Sequence, residues 1–299
     1  MKLLVTGAWK CTEEQLDTLR NLGNDVVFMQ YEDNELPCPY EDVEGVICNG
    51  LFLYHPIEKF TSLRYIQLTS AGYDRVPMDY VTSHGIKINN ARGVYSIPMA
   101  EFAVSGVLQV YNQAKFFYGN QRVKSWIKHR TMLELYGKTV CIVGCGSVGT
   151  ECAKRFAAFG SRVIGVDLYP TDNGHYDKIY PLSDIASCLS AADVVVLTLP
   201  LTEETRYMFN EQRFNSMKDE AVLVNIARGA IIDESALLTA LDEKLLAAVL
   251  DVFEEEPLPP TNPLWEKQNV IITPHNSFVG DGNGERLWNV IKSNLENHI

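Results

Sequence analysis

Residues 139–167 constrain the fold of this chain more than any other stretch, because they combine a buried strand with a glycine-rich turn. The apolar, β-branched run at 139–143 is typical of a parallel strand that is buried on both faces. It ends at Gly144, Gly146 and Gly149, which form a GxGxxG pattern. We interpret the first glycine as allowing a tight turn, the second as letting backbone approach a pyrophosphate, and the third as letting a helix pack on the strand.

A helix and a second strand follow this turn. The helix is predicted to begin near Ser147, with Val148 in its first turn, and to end at Gly160. The free N–H groups of its first turn would face phosphates. The strand at 162–166 delivers Asp167, whose carboxylate would accept hydrogen bonds from a ribose diol. This context predicts dinucleotide binding, and a purely structural turn is the alternative.

The residues after Asp167 indicate which dinucleotide is bound. Leu168, Tyr169 and Pro170 include no arginine that would meet a 2′-phosphate. The sequence therefore predicts NAD rather than NADP as the cofactor.

Composition excludes several other classes of protein. The 299 residues suffice for two domains of ordinary size, and 46% of them are hydrophobic. The formal net charge of −12 disfavours nucleic acid and anionic membranes as partners, because both are polyanions. No apolar run is long enough for a signal peptide or a membrane span, so we expect a cytoplasmic protein.

The seven cysteines show no spacing typical of a zinc site, and we predict no metal centre. Cys145 stands out because it lies in the glycine turn, where a helix N-terminus would lower the pKa of a thiol. The favoured alternative is a small side chain that the turn tolerates.

The first 90 or so residues read as an α/β unit of their own. Thr12 and Gln15 form a capping box at the head of a helix that runs to about Leu22. Strands are predicted at 26–29, 44–48, 64–68 and 86–89. Their alternation with helical or turn segments predicts a parallel sheet.

Two loops of this unit are candidates for substrate contact. One contains Asn49, Gly50 and Leu51, and the other contains Ala71 and Gly72. Each follows a predicted strand, and each has a glycine that frees backbone N–H groups for an anion. The interpretation favoured by the sequence alone is that both are ordinary turns.

The second half of the chain continues the alternation after a helix predicted at 98–117. Further strands are predicted at 193–198, 221–226, 247–252 and 270–273, with a helix from Asp233. Arg228, Glu256 and His275 each lie just past the carboxyl end of a strand. Because doubly wound folds bind ligands at those ends, we expect the three side chains on the side of the glycine turn.

These three residue types suit the reduction of a 2-oxo acid. The guanidinium of Arg228 would bind the carboxylate and polarise the carbonyl. His275 would donate the proton, and Glu256 would stabilise its imidazolium form. Each also has a non-catalytic interpretation. His275 could be a structural histidine, Glu256 could belong to a solvated acidic run, and Arg228 could be a surface residue.

Several motifs in order make the chain resemble the NAD-dependent D-isomer-specific 2-hydroxyacid dehydrogenase family along nearly its whole length. They are NARG and MAEFAVSGVL (89–108), the glycine turn with its acid, LTLPLTEETR (197–206), NIARGAIIDESAL (225–237), LDVFEEEPLP (250–259) and TPH (273–275). The resemblance implies that Arg228, Glu256 and His275 are the catalytic set. It also implies that hydride transfer occurs in a cleft between two domains.

The resemblance further implies an architecture and a set of binding residues. The fold would be two doubly wound parallel-sheet α/β domains, with a Rossmann dinucleotide-binding domain (94–279) inserted into a flavodoxin-like substrate domain (1–93 plus 280–299). A final helix at about 284–297 would return to the first domain. The cofactor set would comprise Gly144, Gly146, Ser147, Val148, Gly149, Asp167, Leu199, Pro200, Thr205, Ala227 and Asp251. The candidate substrate contacts are the residues of the two loops named above, Asn49, Gly50, Leu51, Ala71 and Gly72, together with Arg228.

Family members of this kind are usually dimers, and we expect residues 98–136 to form the contact. The apolar loop 49–54 lacks basic residues, although Arg75 is nearby, so we expect a small unphosphorylated 2-oxo acid as substrate. Departures at Ala247 and at Asn276–Ser277 affect the expected substrate preference more than the reaction. An NADH-sensing binding protein without turnover remains the alternative, and an intact Glu–His pair argues against formate oxidation.

Overall fold

The computed structural model describes residues 1–171 and 173–298. These residues form two compact units: unit 1 contains Met1–Tyr95 and the chain from Gly280 onward, and unit 2 contains Ser96–Val279. The last residue of the predicted first domain, Ile299, lies outside the described residues. None of the helices in the described ranges is long and apolar enough to cross a membrane.

The elements alternate between strand and helix in both units. The first part of unit 1 contains β1 (Lys2–Thr6), α1 (Glu13–Asn21), β2 (Asp25–Met29), β3 (Gly45–Cys48), β4 (Tyr65–Leu68), α2 (Met78–Ser83) and β5 (Lys87–Asn89). Unit 2 contains α3 (Ser96–Tyr111), α4 (Ala114–Arg122), β6 (Thr139–Val143), α5 (Ser147–Ala158), β7 (Arg162–Asp167), β8 (Lys178–Pro181), α6 (Ile185–Ala191), β9 (Val194–Leu197), α7 (Glu211–Ser216), β10 (Val222–Asn225), α8 (Glu234–Glu243), β11 (Ala247–Leu250) and β12 (Val270–Ile272). The chain then returns to unit 1 as α9 (Asn283–Glu296).

The sheet of unit 1 has five parallel strands in the order β2-β1-β3-β4-β5. Its two faces are covered by separate apolar clusters, because neighbouring residues of a strand point to opposite faces. Leu3 packs with Leu287 and Ile291 of α9 on one face, and Leu4 packs with Phe60 on the other. The capping box predicted at Thr12 and Gln15 is present.

The sheet of unit 2 has seven parallel strands in the order β12-β11-β10-β9-β6-β7-β8. The chain leaves β6 toward β7 and returns on the other side of β6 as β9, so the order reverses between β6 and β9. Ligands bind at such a reversal in doubly wound sheets. The predicted fold class, two parallel-sheet α/β domains, is confirmed.

One local prediction about unit 2 is wrong, and one of its strands was not predicted. The single helix predicted at 98–117 is two helices, because Gln113 adopts a left-handed conformation (φ 56°) that ends α3 before α4 begins. The sequence also gave no indication of β8, a short edge strand that ends in a proline. Proline is tolerated there because an edge strand has no partner on one side.

Candidate active site

The glycine turn after β6 has the three properties expected of it. Gly144 has a φ of 101°, and a Cβ there would lie 2.6 Å from the N atom of Leu199. A Cβ on Gly149 would lie 2.1 Å from the carbonyl oxygen of Gly144, so α5 packs against the turn itself. A Cβ on Gly146 would meet nothing within 4 Å, which leaves the backbone before α5 open to a ligand. These residues fit a pyrophosphate at the N-terminus of α5, where Ser147 and Val148 form the first turn.

Asp167 ends β7 beside this turn. Its Oδ2 accepts a hydrogen bond of 2.6 Å from the N–H of Cys145, and its Oδ1 accepts one of 2.9 Å from the N–H of Tyr169. The side chain is half-buried. The carboxylate is therefore held in place by backbone on both sides, where its remaining lone pairs suit a ribose diol.

The side chain of Cys145 is closely packed, and its thiol is not activated. Burial raises the pKa of its thiol to about 12, so the lowering expected from the helix N-terminus does not occur. A Cβ on Gly165 would approach its Sγ to 2.5 Å, which shows how closely the sulfur is surrounded. The alternative favoured from the sequence, a tolerated small side chain, agrees with this packing.

The turn after β9 faces the glycine turn across the reversal point. The hydroxyl of Thr198 donates to the carbonyl oxygen of Gly144 over 2.6 Å and ties the two turns together. Leu199 and Pro200 follow directly. The hydroxyl of Thr205 donates to the carbonyl oxygen of Pro200 over 2.8 Å. Thr205 therefore closes this turn through its own side chain.

Arg228 is positioned by a buried asparagine at the end of β10. The side chain of Asn225 accepts from the N–H of Ala227 (3.0 Å) and donates to the carbonyl oxygen of Arg228 (3.0 Å). A Cβ on Gly229 would lie 1.8 Å from the carbonyl carbon of Phe253, so this backbone packs against the segment after β11. Arg228 donates through its guanidinium to the carbonyl oxygen of Ala227 over 2.8 Å. Asn225 was not recognised in the sequence, although a polar residue ending an apolar strand is a usable signal.

His275 and Glu256 form a direct pair. The Nδ1 atom of His275 lies 2.7 Å from Oε2 of Glu256, and the side chains are 42% and 34% exposed. Oε1 of Glu256 accepts from the N–H of Phe253 over 2.9 Å. Both partners are thus held in place while remaining accessible to a small molecule.

Asp251 fixes the loop that carries the histidine. It is fully buried, and its carboxylate accepts from the hydroxyl of Thr273 (2.6 Å) and from the N–H groups of Asn276 (2.8 Å) and Ser277 (2.9 Å). His275 itself has a φ of 50° and donates its N–H to the Asp251 carbonyl oxygen over 2.8 Å. The carboxylate therefore serves the loop geometry in this structure.

The two candidate substrate loops of unit 1 differ. In the loop after β3, the N–H groups of Asn49 and Gly50, predicted to be free for an anion, both donate to the carboxylate of Glu32 over 2.7 Å. Leu51 is fully buried. The expectation that this loop offers free N–H groups at 49 and 50 is therefore wrong. Its cause is a carboxylate 17 and 18 positions earlier in the chain, which no local pattern indicates.

The loop after β4 keeps the predicted character. Within residues 1–171 and 173–298, the N–H groups of Ala71 and Gly72 donate to no other group of the chain. The loop is shaped by carbonyl contacts instead, because the side chain of Asn90 donates to the Ala71 carbonyl (2.6 Å) and the Ser70 hydroxyl donates to the Gly72 carbonyl (3.0 Å). The sequence-predicted residues thus occupy the carboxyl ends of strands in both units.

Comparison with known proteins identifies the family. The family model for the D-isomer specific 2-hydroxyacid dehydrogenase, NAD binding domain, matches residues 104–277. D-3-phosphoglycerate dehydrogenase of Methanocaldococcus jannaschii is 38% identical over 222 residues, which are 73% of this chain and 42% of that protein. Glyoxylate reductase of Thermofilum pendens is 36% identical over 223 residues, which are 72% of this chain and 65% of that protein. The match thus spans less than two thirds of the length of either relative.

A solved structure agrees over a greater length. The crystal structure of a D-isomer specific 2-hydroxyacid dehydrogenase family protein from Aeromonas salmonicida has a TM-score of 0.82 at 30% identity, covering 98% of this chain and 94% of that one. The resemblance inferred from the sequence motifs is confirmed. The chain belongs to the D-isomer specific 2-hydroxyacid dehydrogenase family, and unit 2 contains the NAD-binding domain of that family.

Proposed function

We propose that this chain interconverts a small 2-oxo acid and the corresponding D-2-hydroxy acid, with NAD(H) as the hydride carrier. The observation that carries the proposal is the 2.7 Å contact between His275 and Glu256 in a domain of this family. A pair of this kind provides what reduction of a carbonyl requires, which is a proton donor with a group that stabilises its charged form.

His275 would act as the acid in reduction and as the base in oxidation. Because its Nδ1 is bound to Glu256, Nε2 is the ring atom that would face the substrate oxygen. The imidazolium gives its proton to the oxygen of C2 as that oxygen gains charge, and the carboxylate of Glu256 stabilises the imidazolium before the transfer. In the reverse direction, the same nitrogen removes the hydroxyl proton.

Arg228 would bind the substrate carboxylate and the carbonyl oxygen together. A planar guanidinium forms two parallel hydrogen bonds, which fixes the substrate orientation and stabilises negative charge that develops on the oxygen. The support for this role is the clamp by Asn225, which holds the backbone at Arg228 from both sides.

The cofactor would be held by the turn of Gly144, Gly146 and Gly149, by the first turn of α5 and by Asp167. When bound, NADH supplies the hydride for C2 and NAD accepts it in the reverse direction. The carboxylate of Asp167 favours NAD over NADP, because it would repel a 2′-phosphate.

We propose unit 1 as the substrate domain, with contacts to the substrate from the loops after β3 and β4. The N–H groups of Ala71 and Gly72, which have no partner among the described residues, suit the substrate carboxylate. The exposed side chains of Leu53 and Tyr54 suit an apolar or neutral substituent. An unphosphorylated substrate agrees with the glyoxylate reductase named above better than with the phosphoglycerate dehydrogenase.

We also propose a homodimer formed through residues 98–136. This stretch carries exposed apolar side chains, including Tyr118 (64%), Trp126 (97%) and Tyr136 (78%), which a second copy would cover. Light scattering behind size-exclusion chromatography at micromolar concentration tests this, and a monomer contradicts it. We further propose a cytoplasmic location, supported by seven unpaired cysteines, which a reducing compartment maintains.

Oxidation of NADH at neutral pH tests the activity directly. The assay would compare glyoxylate, pyruvate, hydroxypyruvate, 2-oxoisocaproate and phenylpyruvate. We expect turnover of at least one of these acids and formation of the D-hydroxy acid. Tight NADH binding without turnover of any of them would instead support the binding-protein alternative.

A further inference from the structure

Glu32 is a half-buried carboxylate at a point where ligands commonly bind in this type of sheet. It follows β2, and its side chain crosses the end of β1 to reach the end of β3. The strand order of unit 1 reverses between β1 and β3, and flavodoxin-like sheets bind ligands at that reversal. In this chain the side chain of Glu32 lies at that reversal.

Three hydrogen bonds hold the carboxylate. Oε1 accepts from the hydroxyl of Thr6 and from the N–H of Asn49, and Oε2 accepts from the N–H of Gly50, each over 2.7 Å. Thr6 is fully buried, so the carboxylate reaches into the interior of the sheet edge. Hydrogen bonds to a charged acceptor are stronger than those between neutral groups, so this contact fixes the start of the loop.

The backbone of Glu32 fixes the other end of the same loop. The Nε2 atom of His55 lies 2.9 Å from the Glu32 carbonyl oxygen, and it must be the donor because a carbonyl only accepts. In the neutral ring, Nδ1 then accepts from the hydroxyl of Tyr40 over 2.7 Å. His55 is only 6% exposed. One residue thus holds residues 49 and 50 through its carboxylate and residue 55 through its carbonyl.

The charge of Glu32 also changes what the loop can bind. The N–H groups of Asn49 and Gly50 would otherwise attract an anionic ligand, but they already donate to the carboxylate of Glu32. A Cβ on Gly50 would lie 3.4 Å from Oε2 of Glu32 and 3.7 Å from Cδ of Arg75, so these two side chains flank Gly50. The start of the loop therefore has a carboxylate of the chain at the N–H groups where an anionic ligand would otherwise bind.

We propose that Glu32 positions the substrate loop 49–55 and makes it select substrates with a single negative charge. This inference rests on the proposed function, because it concerns the substituent of the 2-oxo acid. Within unit 1, the N–H groups after β4 receive the carboxylate of the substrate, and the loop after β3 receives a neutral or apolar substituent. A second anionic group, such as a phosphate, is repelled there.

The test compares Glu32→Gln with Glu35→Gln, a change of an exposed glutamate three residues away in the same segment. The glutamine keeps the shape of the side chain but loses its charge, and its NH2 group cannot accept from Asn49 or Gly50. Hydroxypyruvate and 3-phosphohydroxypyruvate are the matched substrates, because they differ only in the phosphate.

For Glu32→Gln we expect the KM for hydroxypyruvate to rise about tenfold with a smaller change in kcat, as the loss of a charged hydrogen bond predicts. The ratio of kcat/KM for the phosphorylated to the unphosphorylated substrate is expected to rise. Glu35→Gln is expected to change neither quantity. An unchanged KM and an unchanged ratio in Glu32→Gln would overturn the proposal.

Hydrogen exchange at the amides of Asn49 and Gly50 gives a readout that does not depend on turnover. We expect faster exchange in Glu32→Gln than in the wild type or in Glu35→Gln. If the wild type reduces no 2-oxo acid, the proposed function fails, and unchanged amide exchange would then reject the role of Glu32 separately.

Discussion

The Nδ1 atom of His275 and the Oε2 atom of Glu256 lie 2.7 Å apart, although the two residues are 19 positions apart in the chain. Three hydrogen bonds from backbone N–H groups hold the segments that carry the two residues. Asp251 holds the histidine loop, and the N–H of Phe253 holds the other oxygen of Glu256. The contact between His275 and Glu256 is therefore held in place by other residues of unit 2.

The first prediction concerns this pair. His275→Ala removes the proton donor, and we expect kcat/KM for 2-oxo acid reduction to fall roughly 10²- to 10⁴-fold, with NADH binding retained. Glu256→Gln is expected to lower the rate less, because the donor remains. Glu255→Gln, an exposed neighbour in the same acidic run, is the control and should behave like the wild type. Steady-state kinetics that show equal losses for both glutamates would contradict the assignment.

The second prediction concerns Arg228. Arg228→Lys keeps the charge but loses the planar pair of donors, so we expect kcat/KM to fall roughly 10²-fold. Arg162→Lys, at the opposite end of the sheet strands, should leave the rate unchanged. A lysine variant with wild-type kinetics would show that Arg228 does not bind the reacting group.

The third prediction concerns cofactor preference. Asp167→Ala removes a charged acceptor for the ribose diol, and the loss is about 1.5–3 kcal/mol, or ten- to a hundredfold in kcat/KM for NADH. In the same variant, the ratio of kcat/KM for NADPH to kcat/KM for NADH should rise, and this comparison within one variant serves as the control. Wild-type turnover with NADPH equal to or better than that with NADH would refute the assignment.

The fourth prediction separates two glycines of the same turn. Gly149→Ala places a methyl group 2.1 Å from the Gly144 carbonyl oxygen, so we expect a loss of about 1–3 kcal/mol in the free energy of unfolding. Gly146→Ala meets nothing within 4 Å, so the fold should be nearly as stable while NADH binds more weakly. Thermal unfolding and NADH fluorescence titration measure the two effects. Equal stability of both variants would contradict the packing argument.

The fifth prediction concerns acid stability. Burial opposes ionisation of Asp193, but hydrogen bonds from Lys218 and from the N–H of Thr139 outweigh it and lower the pKa from the usual 3.8. A lowered pKa in the folded state stabilises the protein above pH 3.8, and the stabilisation is lost as the pH falls through the folded-state value.

Asp193→Asn should therefore lower the free energy of unfolding by about 1–3 kcal/mol at pH 7. The variant should also lose less stability than the wild type as the pH falls. Asp219→Asn removes an ion pair whose carboxylate is 84% exposed, and it should cost much less. Urea unfolding at pH 7 and at a pH below 3.8 provides the measurement. A pH dependence that is the same in Asp193→Asn and in the wild type would contradict it.

Much of the fold follows from local pattern. The strand at 139–143 and the helix from Ser147 lie as predicted, because a continuous apolar run and a glycine turn lie next to each other in the sequence. The break at Gln113 was missed because its left-handed conformation is not encoded by a glycine or an asparagine at that position.

The candidate site divides in the same way. Arg228, Glu256 and His275 were found because strand ends and family motifs mark them in sequence. Glu32 was missed because its partners, Thr6 and the N–H groups after β3, lie far from it in the sequence and its own segment reads as a solvated acidic loop. Some side chains support a site by contacting backbone that is far away in the sequence. Local sequence patterns cannot predict such contacts, since the neighbouring residues do not indicate the partner.

The helix α9 closes unit 1, because Leu287, Ile291 and Leu295 pack with Leu3 and Val5 of the first strand. The N-terminal sheet must therefore wait for nearly the whole chain to be synthesised before one of its faces is covered. Unit 2 is continuous in sequence and is complete earlier. Folding of unit 1 thus depends on a helix that the chain supplies only after all of unit 2.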